Sequence, residues 1–523
     1  MMDRRRFIVD SAAVFAGAVA ARTCFGQSGQ AAGGEAVAGE LTIDLESASH
    51  LIPANFCGLS YELAQLVDPN FFAVSNQELI ALFRLLSPHG VLRLGGNSSE
   101  SCWFKADESV TAPDVRPAVQ TAAENWMPQQ AFEIDPPAID NLAEFVKAAG
   151  WQLIYGMAFG HSSPERAARE AEYVAKRVGD RLLYFQIGNE PDFYHDKTNK
   201  TRPPDWKFDD YLAEWMAYAD AISERVPTAK FGGPDVGASS GWIPEFTRGA
   251  EEKLGSRLVA VTGHYYAEGP PDDPKVTTER LLHTNPDIFK RTKAIADAAA
   301  ADHLVYRMTE GNSCYRGGKP GMSDAFASAL WAGDYMLDLA SAGCAGVNLH
   351  GGSRSALRAS LGNHMPGELV AAAKGHDTKG GYYTAIAGEL ADGFMARPIF
   401  YGILLANQFA GTNSHAVSLR APGVNATAYA GEKDGQLRIA IFNKDDEHDL
   451  SLTIRMPANF TQAKVWRLSA PALDSTSDVT LAGAAISFAA TWSPTSIETP
   501  RTTSDGFLLD LPRASAALVF LER

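Results

Sequence analysis

Eight short apolar runs, separated by segments with helical patterning, constrain this chain more than any other feature. They are NFCGLSYEL from Asn55, GVLRLGG from Gly90, WQLIYGMAFG from Trp151, LLYFQIGNE from Leu182, KFGGPDV from Lys230, VAVTGHYYA from Val259, LVYRMTEGN from Leu304 and GVNLHGG from Gly346. Parallel strands are covered on both faces and so read as nearly continuous apolar stretches. Between them lie amphipathic segments, such as PAIDNLAEFVKAAG before the third run and MSDAFASALWAGDYMLDLASAG before the eighth. Eight strand–helix units in succession predict an α/β fold, a (β/α)8 barrel over residues 53–405. A doubly wound open sheet is the competing arrangement, but no G-x-G-x-x-G follows the first strand to support it.

Past residue 405 the rhythm changes. VNATAYAGEKDGQLRIAIFNKD, DLSLTIRM, AKVWRLSA, AAISFAA and AALVFLER are short alternating runs with turn residues between them, which predicts an antiparallel β-sandwich over 406–523. The early stretch ELTIDLES alternates in the same way, so a strand within 40–52 is expected to join that sandwich.

The N-terminus reads as targeting. Arg4, Arg5, Arg6 and Phe7 precede an Ala-rich apolar run, which predicts a twin-arginine export signal over residues 1–30, of bacterial type. The competing reading is a membrane anchor, but the run from Ile8 to Ala21 is short for a bilayer span and contains Asp10. The expectation is a periplasmic or secreted protein with no stable membrane association after cleavage. The net charge of −16 disfavours nucleic acid as a partner. Cys57, Cys102, Cys314 and Cys344 show no metal-ligand spacing and are expected as buried free thiols.

The strand ends carry the chemistry. Glu62, Asn97, Glu190, Asp235, His264 with Tyr266, Glu310 and His350 all fall at or near them, and barrel enzymes keep their reacting groups at the carboxyl ends of strands. Alternation puts His264 and Tyr266 on one face, and Gln186, Gly188 and Glu190 on another. Glu190 closes strand four and Glu310 strand seven, across the mouth from each other. Two such carboxylates can divide the hydrolysis of an acetal, one protonating the leaving oxygen while the other attacks the anomeric carbon. The bland alternative is a pair of rim ion-pair partners. Asp235 and Gln186 receive no role.

GNEP at the end of strand four and TEGN at the end of strand seven resemble the acid/base and nucleophile motifs of the clan A retaining glycoside hydrolases. The fuller set, LRLGGNSS, FQIGNEPD, GHYY and TEGNSCYRGG together with a sandwich built from both chain ends, resembles glycoside hydrolase family 79, the β-glucuronidase and heparanase family, over about residues 40–523. The resemblance implies Glu190 as general acid/base, Glu310 as nucleophile, Tyr266 orienting that nucleophile and Asn189 bonding the sugar 2-hydroxyl. It also implies Glu62 and Asn97 on the other hydroxyls, and Tyr315, Gly381 and Tyr382 on the glucuronate carboxylate. Unlike heparanase, this chain has no long internal linker and is acidic, which argues against cutting within a polyanion.

The expected activity is thus a retaining, exo-acting β-glucuronidase that needs no cofactor or metal and takes a carbohydrate partner. Three alternatives stay open: another clan A activity such as a xylanase or arabinofuranosidase, a metal-dependent barrel hydrolase using His161, His264 and His350, and a carbohydrate-binding protein without catalysis. For His264 and His350 a packing or hydrogen-bonding role is expected, since no HxH or HExxH accompanies them.

Overall fold

The computed structural model describes residues 36–47, 49–115, 130–195, 201–376, 380–455 and 460–523, so the export signal expected over 1–30 lies outside the described residues. At the centre is a closed eight-stranded barrel. Its strands, one to eight, are Cys57–Glu62, Val91–Gly95, Gln152–Met157, Leu182–Ile187, Phe231–Val236, Leu258–Glu268, Val305–Cys314 and Gly346–Gly351. All pair in parallel, and strand eight closes on strand one with Val347 opposite Cys57 and Gly351 opposite Tyr61. These are the eight runs read from the sequence. Strands one, two, five and eight are buried at every residue, which is why they carry no polar alternation.

Local signals set the helices between them. Asp135 caps Pro136–Ala149 by accepting from the Ala138 amide, and Gly150 ends that helix in the left-handed region at φ 80°. Ser163 does the same for Pro164–Val178.

Strand seven is irregular where it matters. Met308 pairs with Gly263 and Glu310 with His264, so strand seven carries one residue more than strand six at that point. A bulge re-aims side chains, and both members of the bulged pair reach inward: Thr309 donates to Asp235 at 2.6 Å, and Glu310 accepts from Arg93 at 2.6 Å.

The second body is a ten-stranded sheet curled around its own core. Val37–Asp44 lies within it, antiparallel to Asn413–Arg420 and parallel to Leu450–Arg455. Strands Gln436–Asn443 and Ser515–Glu522 are neighbours inside the sheet, fourth and third from one edge. Leu437, Ile439 and Ile441 face the inner core, while Ala440 and Phe442 face the barrel. One expected strand is absent: AAISFAA makes only an isolated bridge between Ala484 and Leu481. Ala482, two residues before it, and Ala490, its last residue, are at positive φ, which stops an extended run at both ends.

Barrel and sheet meet on helix Phe326–Ser341, apolar almost all round because both bodies cover it. At this junction Asp334 accepts from Lys444 Nζ at 2.6 Å and from the Tyr429 hydroxyl at 2.7 Å. All four cysteines among the described residues are free and buried. Among the described residues no helix is long and apolar enough to cross a membrane.

Candidate active site

Strand four ends at Ile187, and the chain then turns sharply through Gly188, at φ 85°, into Asn189 and Glu190. Glu190 itself is left-handed, at φ 49° and ψ 51°, and Pro191 opens a short 3-10 turn to Phe193. A non-glycine residue there costs on the order of 1–3 kcal/mol and persists only where the surroundings dictate it. They do. The Glu190 amide donates to Asp235 O at 2.9 Å, while the Asp192 carboxylate accepts from the amides of Gly237, Ala238 and Ser239. The strand-four and strand-five loops are thereby tied together beneath the Glu190 side chain.

Under the mouth of the barrel lies Arg93, the central residue of strand two and 1% exposed. Its fork reaches four strands. Nη1 donates to Glu310 Oε2 at 2.6 Å and Ser60 Oγ at 3.2 Å, Nη2 to Asp235 Oδ2 at 2.6 Å and Asn189 Oδ1 at 2.8 Å, and Nε to Gln186 Oε1 at 3.1 Å. A buried arginine is tolerated only when paired and bonded in this way.

The two glutamates sit in opposite fields. Glu310 is gripped from both sides, since Tyr266 donates its hydroxyl to Oε1 at 2.8 Å while Arg93 holds Oε2. Burial works against its charge, but His350, His264, Arg93 and the Tyr266 hydroxyl outweigh burial and hold the carboxyl well below the ordinary range. Glu190 goes the other way: burial pushes it up, against the pull of His264. His264 stands between two carboxylates, Nδ1 3.0 Å from Glu190 Oε1 and Nε2 2.9 Å from Asp235 Oδ1. Burial opposes the imidazolium, yet Asp235 and Glu310 win and push it up to about 10. One carboxyl pushed towards protonation thus faces one held towards ionisation, the division acetal hydrolysis requires.

Glu190 and Glu310 open onto a cavity of about 510 Å³, which Glu62, Asn97, Tyr266 and Tyr315 also line. Asn189, 3% exposed, lies beside it, bonded through Oδ1 to Arg93. Glu62 is fixed by the amide and hydroxyl of Ser98 on one oxygen and by His350 at 3.2 Å on the other. Gly381 and Tyr382, expected beside the sugar carboxylate, are not among the residues that line this cavity. The Thr384 amide closes a turn onto Gly381 O at 3.1 Å, and successive side chains in it diverge. Tyr382 tucks against Gly367, whereas Tyr383 enters the cavity, its ring 5.8 Å from His350 and 6.4 Å from Tyr266. Gly381 faces a separate outer groove.

With this geometry in place, the chain can be set beside known proteins. It resembles β-glucuronidases. It is 28% identical over 316 residues to the β-glucuronidase of Aspergillus niger, covering 55% of each chain, and 30% identical over 204 residues to that of Neurospora crassa, covering 34% of each. The chain therefore spans about half or less of the length of the curated relatives it matches. No family model matches it. Among solved structures, a 4-O-α-L-rhamnosyl-β-D-glucuronidase from Fusarium oxysporum superposes with a TM-score of 0.70 at 16% identity, over 92% of this chain and 100% of that one. An α-L-arabinofuranosidase from Thermotoga maritima reaches 0.62 at 15% identity, over 93% and 100%. At such identities these two establish the barrel-and-sheet fold.

Sequence reasoning passed over Arg93, although LRLGG offered a signal: an arginine inside an otherwise apolar, doubly covered strand must find charged partners within the barrel. Asp235, left without a role, and Gln186 turn out to be two of those partners. Tyr383 and Arg316, both lining the cavity, carried no signal of their own.

For a metal, the described residues offer one trio, Glu190, His264 and Glu310, whose ligand-type atoms lie within 4.8 Å of one another. It does not suit a cation, because both His264 ring nitrogens face carboxylates and the ring is held protonated. The alternative trio of His161, His264 and His350 is not assembled, since His161 lines a different crevice with Trp103 and Glu170.

Proposed function

We propose that this protein is a retaining, exo-acting β-glucuronidase, exported under the direction of its arginine-rich leader. The observation that carries the mechanism is the opposed pair itself. One carboxylate oxygen of Glu190 and one of Glu310 lie within 4.8 Å of each other, which favours the ~5–5.5 Å between carboxyl groups in retaining enzymes over the ~6.5–9.5 Å of inverting ones. Glu310, ionised and aligned by Tyr266 and Arg93, attacks the anomeric carbon as Glu190 gives its proton to the departing oxygen. Glu190, now a carboxylate, draws a proton from water, whose oxygen attacks that carbon and releases Glu310.

Support for glucuronate as the sugar comes from two directions. The relatives of Aspergillus niger and Neurospora crassa bear that activity in their names, and the cavity wall carries Tyr315, Tyr383 and Arg316, donors able to replace water around a C5 carboxylate. The test is a panel of 4-nitrophenyl β-glucuronide, β-glucoside, β-xyloside, β-galactoside and α-L-arabinofuranoside, with the anomer of the first product followed by NMR. Hydrolysis of the glucuronide above all others, with the β-anomer formed first, is expected. Preference for another glycoside would overturn the substrate, and an α-anomer the mechanism.

A further inference from the structure

The catalytic cavity has two halves. Glu62, Asn97, His350 and Tyr383 belong to strands one, two and eight and their loops, while Phe193, Gly237 and Ala238 belong to the loops after strands four and five, Tyr265 to strand six itself and Arg291 to the helix Pro286–Ala301 that follows it. Glu190 stands at the head of the second half. Because it must reach the glycosidic oxygen, the leaving group extends over that half, away from the carboxylate-reading tyrosines.

Arg291, on helix Pro286–Ala301, is unusual among the groups there. Its guanidinium lies 5.6 Å from the centre of the Tyr265 ring, and Tyr265 stacks in turn on Tyr335 at 5.7 Å and 21°. Its Nε is buried with no hydrogen-bond partner, and no ion pair to it occurs among the described residues. In a chain with 62 acidic residues against 46 basic ones, a cation on the wall of the catalytic cavity has been left without an acid. A guanidinium seated over an aromatic ring presents a planar fork that matches a carboxylate or sulfate, and a buried N–H without an acceptor is costly until one arrives.

We propose that Arg291 is a specificity-determining residue for the leaving group, and that the preferred aglycone carries an oxyanion, a carboxylate or a sulfate, on a ring lying between Phe193 and Tyr265. The inference rests on the glucuronidase reading. It concerns one acidic substituent beside the cleaved bond and so fits the overall negative charge, which a polyanion would not.

The test compares three aryl β-glucuronides with leaving groups of matched acidity, one neutral, one carboxylated and one sulfated. The wild-type protein is expected to favour an acidic aglycone, and Arg291→Met to lower the acidic-to-neutral ratio of kcat/KM by tenfold or more, with Arg291→Lys recovering part of it. Which acid leads decides between carboxylate and sulfate. As a second measure needing no variant, the free acidic phenols should inhibit the wild-type protein at lower concentration than the neutral phenol. An unchanged ratio in a folded Arg291→Met protein, or equal inhibition by acidic and neutral phenols, overturns the proposal. Failure to cleave any of the three glucuronides would instead remove the activity on which it rests.

Discussion

Nδ1 of His264 lies 3.0 Å from Oε1 of Glu190, so the carboxyl proposed to deliver a proton is bonded to a ring whose pKa is pushed up to about 10. The cation restrains a pKa that burial raises, and it lowers that of Glu310 as well. In the proposed mechanism Glu190 acts protonated and Glu310 ionised, so the alkaline limb of kcat/KM should follow Glu190 and the acid limb Glu310. Removing the charge in His264→Gln lets both pKa values rise. The whole pH profile should move upward, the alkaline limb by about one unit or more, each unit being ~1.4 kcal/mol. A profile that stays in place, or moves to lower pH, would show that His264 does not set these values.

Separating the two glutamates needs leaving groups of different quality. In Glu190→Ala the glycoside of a poor leaving group should lose several orders of magnitude, while an activated aryl glycoside loses far less and is rescued by added azide. Glu310→Gln should abolish both and respond to neither. Equal losses for the two leaving groups in Glu190→Ala would reverse the assignment.

The divergence of neighbouring tyrosines gives a sharp contrast. A hydrogen bond to a charged group is worth about 1.5–3 kcal/mol, so Tyr383→Phe should cost tenfold or more in kcat/KM for the glucuronide and lower its ratio to the glucoside. Tyr382→Phe should leave that ratio where it is. If Tyr382 proves to control it, the turn from Gly381 to Thr384 is not arranged as described.

Arg93 neutralises Asp235 and Glu310 together from a fully buried position. Its replacement by Met strands two carboxylates beside the cavity, and breaking a buried pair by removing one partner costs ~3–5 kcal/mol. Arg93→Met should therefore unfold at clearly lower denaturant and lose activity. Arg93→Lys keeps a charge but not the fork, and should recover stability better than turnover.

At the junction of barrel and sheet, Lys444→Met leaves Asp334 buried without its cation, with a similar loss of ~3–5 kcal/mol expected at neutral pH. Burial opposes ionisation of Asp334, but Lys444 and the hydrogen bonds outweigh burial and hold its pKa below the usual value. A depressed folded-state pKa gives stability that is present above the unfolded value, about 3.9, and lost as pH falls through the folded one. The difference between wild type and variant in denaturant titrations should accordingly shrink on acidification below about pH 4. A gap that widens there would be inconsistent with this pair.

Much of this molecule can be read from its chain because the informative patterns are local. Eight doubly covered strands must be apolar along their length, so GVLRLGG or GVNLHGG announces a barrel strand without reference to anything distant. A carboxylate in the carboxyl-terminal part of a barrel strand or just past it, as Glu310 within Val305–Cys314 and Glu190 after Leu182–Ile187, falls near the rim, and the period of two that joins His264 to Tyr266 on one face is a property of extended backbone. The sheet domain was less legible. AAISFAA has the alternation of a strand, but positive φ at Ala482 and Ala490 breaks it up.

What the sequence by itself determined is therefore the architecture and the two carboxylates at opposed strand ends. Only the tertiary structure decided how those carboxylates are tuned and what surrounds them. Arg93 draws its five partners from strands one, five and seven and from the end of strand four, and the bulge at Thr309 and Glu310 depends on the register of strand seven against strand six. Tyr383 rather than Tyr382 faces the cavity because a turn closes on Gly381, and Arg291 has no acid paired with it among the described residues because helix Pro286–Ala301 packs it over Tyr265. Each depends on contacts between residues far apart in the chain, and a side chain's charge, direction and partner are set by whatever the folded neighbours bring within a few ångströms.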